Sequence, residues 1–343
     1  MMEYATLRIK EIKRETDECK TFILEPAEPL SYEAGQFLTF IFPKNNSEDR
    51  RSYSISASPV LNESLSVTVK KIANGEYSRK LVDHAKVGDV LFTIGASGFF
   101  VLPENIHLYR QLFFIAAGSG ITPVYSLLKT VLKKYSFISV VLIYSNRDKE
   151  STIFREELEA LADHYKEHLR IEWLYSTSIN LEKARLSKWL LGRLLLQYLA
   201  VPPASALFYL CGPFDFMRMA NIELLEDGIP AAHIRKEIFN PVKHLVKQLP
   251  PDTEKHLVTI HTGGTSYFVE TQYPQTILQS LKKAGIPARY SCEAGKCGTC
   301  AVMCTRGKVW MSSNEVLLDE EIAKGRVLTC VGYAVAGDVV LEG

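Results

Sequence analysis

The stretch Ser291-Cys292-Glu293-Ala294-Gly295-Lys296-Cys297-Gly298-Thr299-Cys300, with Cys330 far downstream, most limits what this chain can become. A Cys-x4-Cys-x2-Cys run with a distant fourth cysteine delivers four thiolates to a 2Fe–2S cluster from one loop and one later segment. One-electron chemistry is expected there. Gly295 and Gly298 suit such a loop, because a backbone wrapped around an anionic cluster must bring N–H groups close and adopt positive φ in places. The alternatives are a zinc site, which usually shows paired Cys-x2-Cys knuckles, and chance.

At 343 residues the chain exceeds one ordinary core, and the changes of pattern along it divide it into three domains. A 47% hydrophobic, 23% charged composition with a net charge of +1 offers no reason to expect nucleic acid or an anionic membrane as partner. No apolar run reaches the length of a membrane span, and Met1 to Lys13 lacks the apolar core of a signal peptide, so a cytoplasmic protein is expected. Seven cysteines, four of them in a ligand pattern, suit a reducing compartment better than a disulfide framework.

Residues 1–103 alternate short β-rich runs with turn signals: Thr6 to Ile12, Cys19 to Leu24, Phe37 to Phe42, Ser64 to Val69 and Val90 to Ile94. This predicts an antiparallel β-barrel. Residues 104–240 carry continuous apolar strands (LFFIAAG, ISVVLIY, RIEWLY, LFYLCG) separated by helical stretches such as Pro123 to Lys134 and Ile153 to His164. Strands buried on both faces with helical crossovers predict a doubly wound α/β domain. Residues 241–255 hold Pro241, Pro250 and Pro251 among charged residues and read as a linker. Residues 256–343 follow as a third domain, with a hairpin turning at Gly263-Gly264 and a short helix over Gln275 to Ala284 before the cysteine loop.

Ala117-Gly118-Ser119-Gly120-Ile121-Thr122-Pro123 lies directly between an apolar strand and a helix. Glycines there let the backbone approach a diphosphate, the helix N-terminus favours negative charge, and proline suits the first helical turn. The full Gly-x-Gly-x-x-Gly fingerprint and the lysine of an NTPase loop are absent, and a tight connection with no ligand is the competing reading. Arg51-Ser52-Tyr53-Ser54 is read at the start of a barrel strand, where arginine can neutralise a diphosphate, tyrosine can stack on a flavin and serine can reach a ring nitrogen. A structural edge strand is the rival there. For Gly75-Glu76-Tyr77-Ser78 the rival is a loop leading into a helix over Arg79 to His84.

Taken in order, RSYS, GEYS, GSGITP, Cys211-Gly212-Pro213 and the cysteine run resemble the ferredoxin-NADP reductase-like flavoproteins with a C-terminal plant-type ferredoxin domain. That family includes the reductase component of phenylacetyl-CoA epoxidase and the reductases of oxygenases and desaturases. The resemblance covers essentially the whole chain and implies a β-grasp fold for the third domain. It implies FAD contacts at Arg51, Ser52, Tyr53 and Ser54, diphosphate contacts at Gly75, Tyr77 and Ser78, and Thr68, Val69 and Lys70 beside them. Gly118, Gly120, Thr122 and Pro123 would take the nucleotide, and Cys211, Gly212 and Pro213 would lie near the nicotinamide. Lys236-Glu237-Ile238-Phe239 resembles the Val-Glu-x-Tyr ending of short reductases, which makes Phe239 the aromatic covering the flavin and Glu237 a nearby acid. Ser54, Cys211, Glu237 and Phe239 are the catalytic candidates; Cys292, Cys297, Cys300 and Cys330 are the metal ligands.

Several of these residues have plain rivals. Cys211 could be a small buried hydrophobe, and an acid followed by an aromatic is common. Cys19 and Cys304 match no ligand position and are expected to pack, and the eight histidines show no metal-ligand spacing. A 2′-phosphate needs cations or hydroxyls after the second strand of the nucleotide domain, where Arg147, Ser176 and Arg185 stand. NADPH is therefore expected ahead of NADH, although Thr177 replaces an arginine of some relatives and Asp148 adjoins Arg147.

The resulting expectation is a monomeric electron-transfer oxidoreductase carrying electrons from NAD(P)H through FAD and a 2Fe–2S cluster to an iron-containing oxygenase, hydroxylase or desaturase. Plant-type clusters lie near about −400 mV, low enough to reduce such a partner. Two other classes fit parts of the pattern: a stand-alone flavin reductase of a small molecule, and a redox-sensing iron–sulfur protein. Eight basic and eight acidic residues between Leu257 and Gly343 leave no charge patch that names the acceptor.

Overall fold

A computed structural model describes residues 4–45, 47–239 and 249–343. They form two compact units, one holding Tyr4–Ala96 with Phe100–Phe239, the other holding Ser97–Phe99 with the described C-terminal residues.

The larger unit opens with six strands: β1 (Ala5–Thr16), β2 (Cys19–Pro26), β3 (Phe37–Lys44), β4 (Ser47–Ser54), β5 (Ser66–Lys70) and β6 (Val90–Ser97). Their order is β4-β3-β6-β1-β2-β5. The two outer strands meet just past the end of β4, where Ile55 bridges Val67 and Ser56 N–H donates to Ser66 O at 2.9 Å. This closes the sheet into a barrel, filled by Leu7, Ile9, Phe22, Leu38, Phe40 and Val67 from alternate strand positions. β4 pairs from Lys44↔Ser47 to Phe37↔Ser54, so RSYS ends this strand instead of starting one. The expectation missed it because SEDRRSYS holds one apolar residue; an edge strand needs no second buried face. Helix α1 (Glu76–Arg79) leads into a wider turn at Lys80–His84.

The chain then runs β7 (Gln111–Ala117), α2 (Ile121–Lys134), β8 (Ser139–Asn146), α3 (Arg155–His164), β9 (Leu169–Tyr175), α4 (Lys188–Tyr198), β10 (Ala206–Cys211), α5 (Phe214–Glu226) and β11 (Ile234–Glu237). All strand pairs are parallel, in the order β11-β10-β7-β8-β9. Leu112 to Ala116 are fully buried, as continuous apolar strands covered on both faces must be. The winding reverses between β7 and β10, and their carboxyl ends lie side by side at that switch point, the usual place for a ligand crevice. Barrel and α/β sheet share a core: Cys19 of β2 is fully buried within the cluster built around Leu112, Phe114 and Tyr144. Its expected packing role holds, but in the neighbouring sheet's core.

The C-terminal unit contains β12 (His256–Thr262), β13 (Thr265–Thr271), α6 (Ile277–Lys283), β14 (Ala301–Met311), α7 (Asp319–Ala323), β15 (Arg326–Leu328) and β16 (Gly332–Glu342). Its order is β13-β12-β16-β14-β15, with β12 and β16 parallel. Gly263 and Gly264, at φ 55° and 73°, turn the expected hairpin. Helix α6 is opened by a capping box in which Thr276 Oγ1 accepts from Gln279 N–H at 3.2 Å. Its Ile277 and Leu281 pack on Val258, Ile260 and Leu341, which gives the β-grasp arrangement of a sheet curled over one helix. Of the expected linker, Pro241 and the rest of 240–248 lie outside the described residues. Leu249 to Lys255 form no helix or strand, and Asp252 is tied to the C-terminal unit, accepting from Ala336 N–H at 2.6 Å and bonding His256 Nε2 at 2.8 Å.

Candidate functional site

Four of the five sequence motifs meet at the barrel and switch-point end of the larger unit. Arg51 and Tyr77, from RSYS and GEYS, are in contact: the guanidinium lies 5.1 Å from the Tyr77 ring centroid. The same ring stacks on Phe42 at 4.0 Å, and its hydroxyl donates to Asp49 at 2.8 Å. Asp49 also holds Lys44 at 2.8 Å, so two cations and one carboxylate surround the tyrosine. Lys44 and Asp49 were missed as site residues. Asp49 lies two positions before Arg51 on one strand, and the period-2 rule would have put both on one face.

Tyr53 sits half-buried with its ring 5.6 Å from Phe40, and burial pushes its phenol well up. Ser52 Oγ bonds Thr39 Oγ1 at 2.9 Å. The Thr68 hydroxyl belongs to a buried chain, bonding Thr21 at 2.7 Å and Ser56 at 3.0 Å, and Val69 is buried, so these two offer a ligand only backbone. Lys70 is half-buried beside them. Ser78 Oγ donates to Gly75 O at 3.1 Å and accepts from Ile72 N–H at 3.3 Å, which knits the turn before α1.

Ser54 is buried and donates to Glu237 Oε1 at 3.2 Å. Glu237 is also the register partner of Cys211 across the parallel pair β10–β11. Desolvation pushes the Glu237 carboxyl up to about 8, only partly opposed by Ser54, and Oε2 has no hydrogen-bond partner among the described residues. Burial, and next the charge of Glu237, raise the Cys211 thiol well above its ordinary value. Phe239, two residues on, is 45% exposed. An acid, a hydroxyl and a thiol thus converge, with one buried oxygen left for a ligand.

Beside them, the turn after β7 is packed against the turn after β10. A Cβ on Gly120 would stand 2.0 Å from Cys211 O, so only glycine allows this approach. Gly118, at φ 53°, faces open space where its Cβ would be. Thr122 Oγ1 donates to Ser119 O at 3.0 Å and, with Pro123, forms the first turn of α2. Gly212 packs against Ala117, and Pro213 caps α5. At the carboxyl end of β8, Asn146 is buried with Nδ2 unpartnered among the described residues. Arg147 follows it, exposed and bonded to Asp148 at 2.9 Å; hydrogen bonds from Ser151 and then Arg147 bring Asp148 down to about 2. Ser176 adjoins this pair, its N–H donating to Asn146 O at 3.0 Å, and Thr177 Oγ1 donates to Arg147 O at 2.9 Å. Arg185 is exposed in the stretch before α4. The open turn and the two unpartnered buried atoms fit a flavin and a nicotinamide nucleotide.

The C-terminal unit brings the four predicted ligand cysteines together as two couples. The neighbouring Cys297 side chain and then the N–H groups of Lys296, Ala294 and Cys297 bring the Cys292 thiol below its ordinary range, and Ala294 N–H donates to Cys292 Sγ at 3.4 Å. Cys330 lowers Cys300 in the same way, while Cys297 and Cys330 are themselves raised. The loop reaches this shape with Glu293, Gly295 and Gly298 at φ 52°, 72° and 74°. Lys296, with a 3% exposed side chain, pairs with Glu315 at 3.2 Å, a link the sequence reading missed. Among the described residues, no three of His, Cys, Asp and Glu converge as they would around one ion. Two cysteine couples, one of them among several N–H groups, suit two irons, and the donor set fits a 2Fe–2S cluster. Cys304 is half-exposed, its thiol turned toward Arg306 O at 3.5 Å, apart from the ligands.

Residues 6–101 match the oxidoreductase FAD-binding domain, 114–221 the oxidoreductase NAD-binding domain, and 260–335 the 2Fe–2S iron–sulfur cluster binding domain. The chain is 32% identical over 341 residues to the ferredoxin reductase component of 3-ketosteroid-9-alpha-monooxygenase from Mycobacterium tuberculosis, covering 94% of this chain and 91% of the relative. It is 30% identical over 355 residues to a subunit of the 1,2-phenylacetyl-CoA epoxidase of Escherichia coli K12, covering 100% of this chain and 98% of that one. Phthalate dioxygenase reductase, described as a modular structure for electron transfer from pyridine nucleotides to [2Fe–2S], shares the fold with a TM-score of 0.60 at 24% identity, over 99% of this chain and 98% of that one. No helix among the described residues is long and apolar enough to cross a membrane. The site and these likenesses lead to one statement: the chain belongs to the ferredoxin reductase family of oxidoreductases that join FAD-binding, NAD-binding and 2Fe–2S domains.

Proposed function

We propose that this chain is the reductase component of an iron-containing oxygenase, hydroxylase or desaturase, a cytoplasmic monomer whose domains run 1–103, 104–240 and 256–343. The observation that carries the reading is the convergence of Ser54, Cys211 and Glu237 beside the Gly118–Gly120 turn, in a chain that also gathers four cysteine thiols. When bound, FAD accepts an electron pair from the nicotinamide and a 2Fe–2S cluster passes electrons on singly. The residues supply position and charge. Arg51 and the turn around Gly75, Tyr77 and Ser78 hold the flavin diphosphate, Tyr53 lies along the ring, and Ser52 with the Thr68–Lys70 backbone borders it. Gly118, Gly120 and Thr122 present N–H groups to the nucleotide diphosphate at a helix N-terminus whose first turn is set by Pro123. Cys211, Gly212 and Pro213 border the nicotinamide. Ser54 and Glu237 can share a proton beside the flavin, since a carboxyl near 8 changes charge close to neutrality. Phe239 shields that face from water. Cys292, Cys297, Cys300 and Cys330 ligate the cluster.

Arg147 and Ser176 support NADPH ahead of NADH, with Asp148 competing for the arginine. The relatives' names support an oxygenase as acceptor.

The test is a chain ending at Phe239. It should still reduce ferricyanide with NAD(P)H, because that acceptor can draw electrons from flavin directly. It should largely lose cytochrome c reduction, and a separately made C-terminal piece should restore it only partly, because tethering supplies an effective concentration near about 1 mM. Full cytochrome c activity in the shortened chain would remove the cluster as the electron outlet and favour a stand-alone flavin reductase.

A further inference from the structure

Helix α2 begins at the nucleotide turn, and its later polar residues reach the barrel. Ser126, Lys129 and Thr130 are spaced three and four apart, which puts them on one face. All three end on one short barrel segment. Ser126 Oγ donates to Ala57 O at 2.5 Å, Lys129 Nζ donates to Glu63 Oε2, and Thr130 Oγ1 bonds Ser58 Oγ at 2.7 Å. Glu63 Oε2 also accepts from Ser58 N–H at 2.7 Å, which folds the segment back on itself. Ser126 and Ser58 are fully buried, and Lys129 is 7% exposed. Glu63 keeps a third of its side chain in water, but the two serines and the Lys129 ammonium have little water to replace their partners, and a buried ammonium left without its carboxylate is strongly unfavourable.

The segment Ala57–Glu63 continues directly from the strand that ends in Ser54. The N-terminal end of α2 thus carries the Gly118–Gly120 turn, and its middle turns grip the continuation of the flavin strand. Directional hydrogen bonds and an ion pair whose ammonium is buried oppose a slide of the helix along its axis.

We propose that the Lys129–Glu63 pair, with Ser126 and Thr130, is a positioning clamp that sets the nucleotide turn at a fixed distance from Ser54 and so aligns nicotinamide with flavin. Both residues are positioning residues and neither touches a reacting atom. The proposal rests on the reading of Ser54 and the Gly118 turn as flavin and nucleotide contacts.

The experiment uses the full FAD-loaded, cluster-loaded chain carrying Lys129→Met, Glu63→Gln, or both. Stopped-flow mixing with NADPH and NADH gives nucleotide affinity and the flavin reduction rate separately. The expected result is an affinity within about twofold of the parent and a reduction rate lowered about tenfold or more, since small misplacements of reacting groups have large effects on rate. The double variant should be no slower than the slower single one, and Lys129→Arg should recover most of the rate. Amide exchange at Ser58, whose N–H donates to Glu63, should accelerate in Glu63→Gln. An unchanged reduction rate with a lower melting temperature would overturn the proposal and leave a purely stabilising contact. So would equal losses of affinity and rate. If Lys129→Met does not fold, Thr130→Val, which removes the Ser58 contact together with a hydrogen bond to Ser126 O within α2, must show the same split. A parent protein whose flavin neither nucleotide reduces would instead reject the functional reading beneath it.

Discussion

Ser54 and Glu237 stand 183 positions apart in the chain, yet the serine hydroxyl donates to the glutamate Oε1 at 3.2 Å. The second carboxylate oxygen is buried without a partner among the described residues, and desolvation raises the group from 4.5 to about 8. In the flavin-free chain, therefore, the folded state binds this proton more tightly than the unfolded one does. Between about pH 5 and 8 the folded state carries more protons, so this group's contribution makes stability fall as pH rises. The predicted loss is on the order of a few kcal/mol across the window. Glu237→Gln should remove it. Urea unfolding at three pH values should find the variant gaining on the parent from acid to alkaline conditions; a pH-independent difference between them would refute the assignment.

The two turns at the switch point leave no room at Gly120. Alanine there must displace the backbone of Cys211 and Gly212, because the nearest atoms, at 2.0 and 2.4 Å, are main chain and cannot rotate away. Gly120→Ala is expected to destabilise the larger unit by about 1–3 kcal/mol and to weaken nucleotide binding as well. Gly118→Ala meets open space, so its effect should be confined to the strain of a left-handed residue and to the ligand. Denaturation curves and nucleotide titrations of the two variants separate these outcomes.

Cys297→Ser should lose or destabilise the cluster while FAD binding and flavin reduction by NAD(P)H persist. Iron content and visible absorption report the first, and ferricyanide reduction the second. A variant retaining a normal cluster would show that the ligand set is wrong.

Replacing Arg147 and Arg185 together with alanine should raise the KM for NADPH about tenfold or more, with NADH nearly unaffected, if the pair holds a 2′-phosphate. Arg147 is already bonded to Asp148, so Asp148→Asn should free it and lower the NADPH KM. Equal changes with both nucleotides would assign these residues to the shared diphosphate or to the fold.

What could be read from the chain in advance was local. The apolar strands β7, β8 and β10, the Gly263-Gly264 hairpin and the α2 boundary carry their signal within a few adjacent residues. Strand β4 did not, because a charged edge strand with one apolar residue has no periodicity to detect. The site divided in the same way. Cys292, Cys297 and Cys300 advertise themselves by spacing, whereas Lys296–Glu315 and Lys129–Glu63 are pairs formed by folding, between residues whose type alone suggests a solvated surface. Thr68 shows the opposite case: the family likeness singled it out, but its hydroxyl is already bonded within the barrel.

Asp252 lies ahead of the first strand of the C-terminal unit, is bonded to that strand through His256, and is bonded to the last one through the Ala336 N–H in β16. Anyone swapping this iron–sulfur half onto another reductase would therefore do well to make the splice upstream of Pro250. A graft beginning at His256 would arrive without its collar, leaving an amide of the final strand and an imidazole at the entry strand with nothing to grip. The place where such a piece can be cut is decided by the ties of Asp252, Thr253 and Lys255 and not by where the sheet begins.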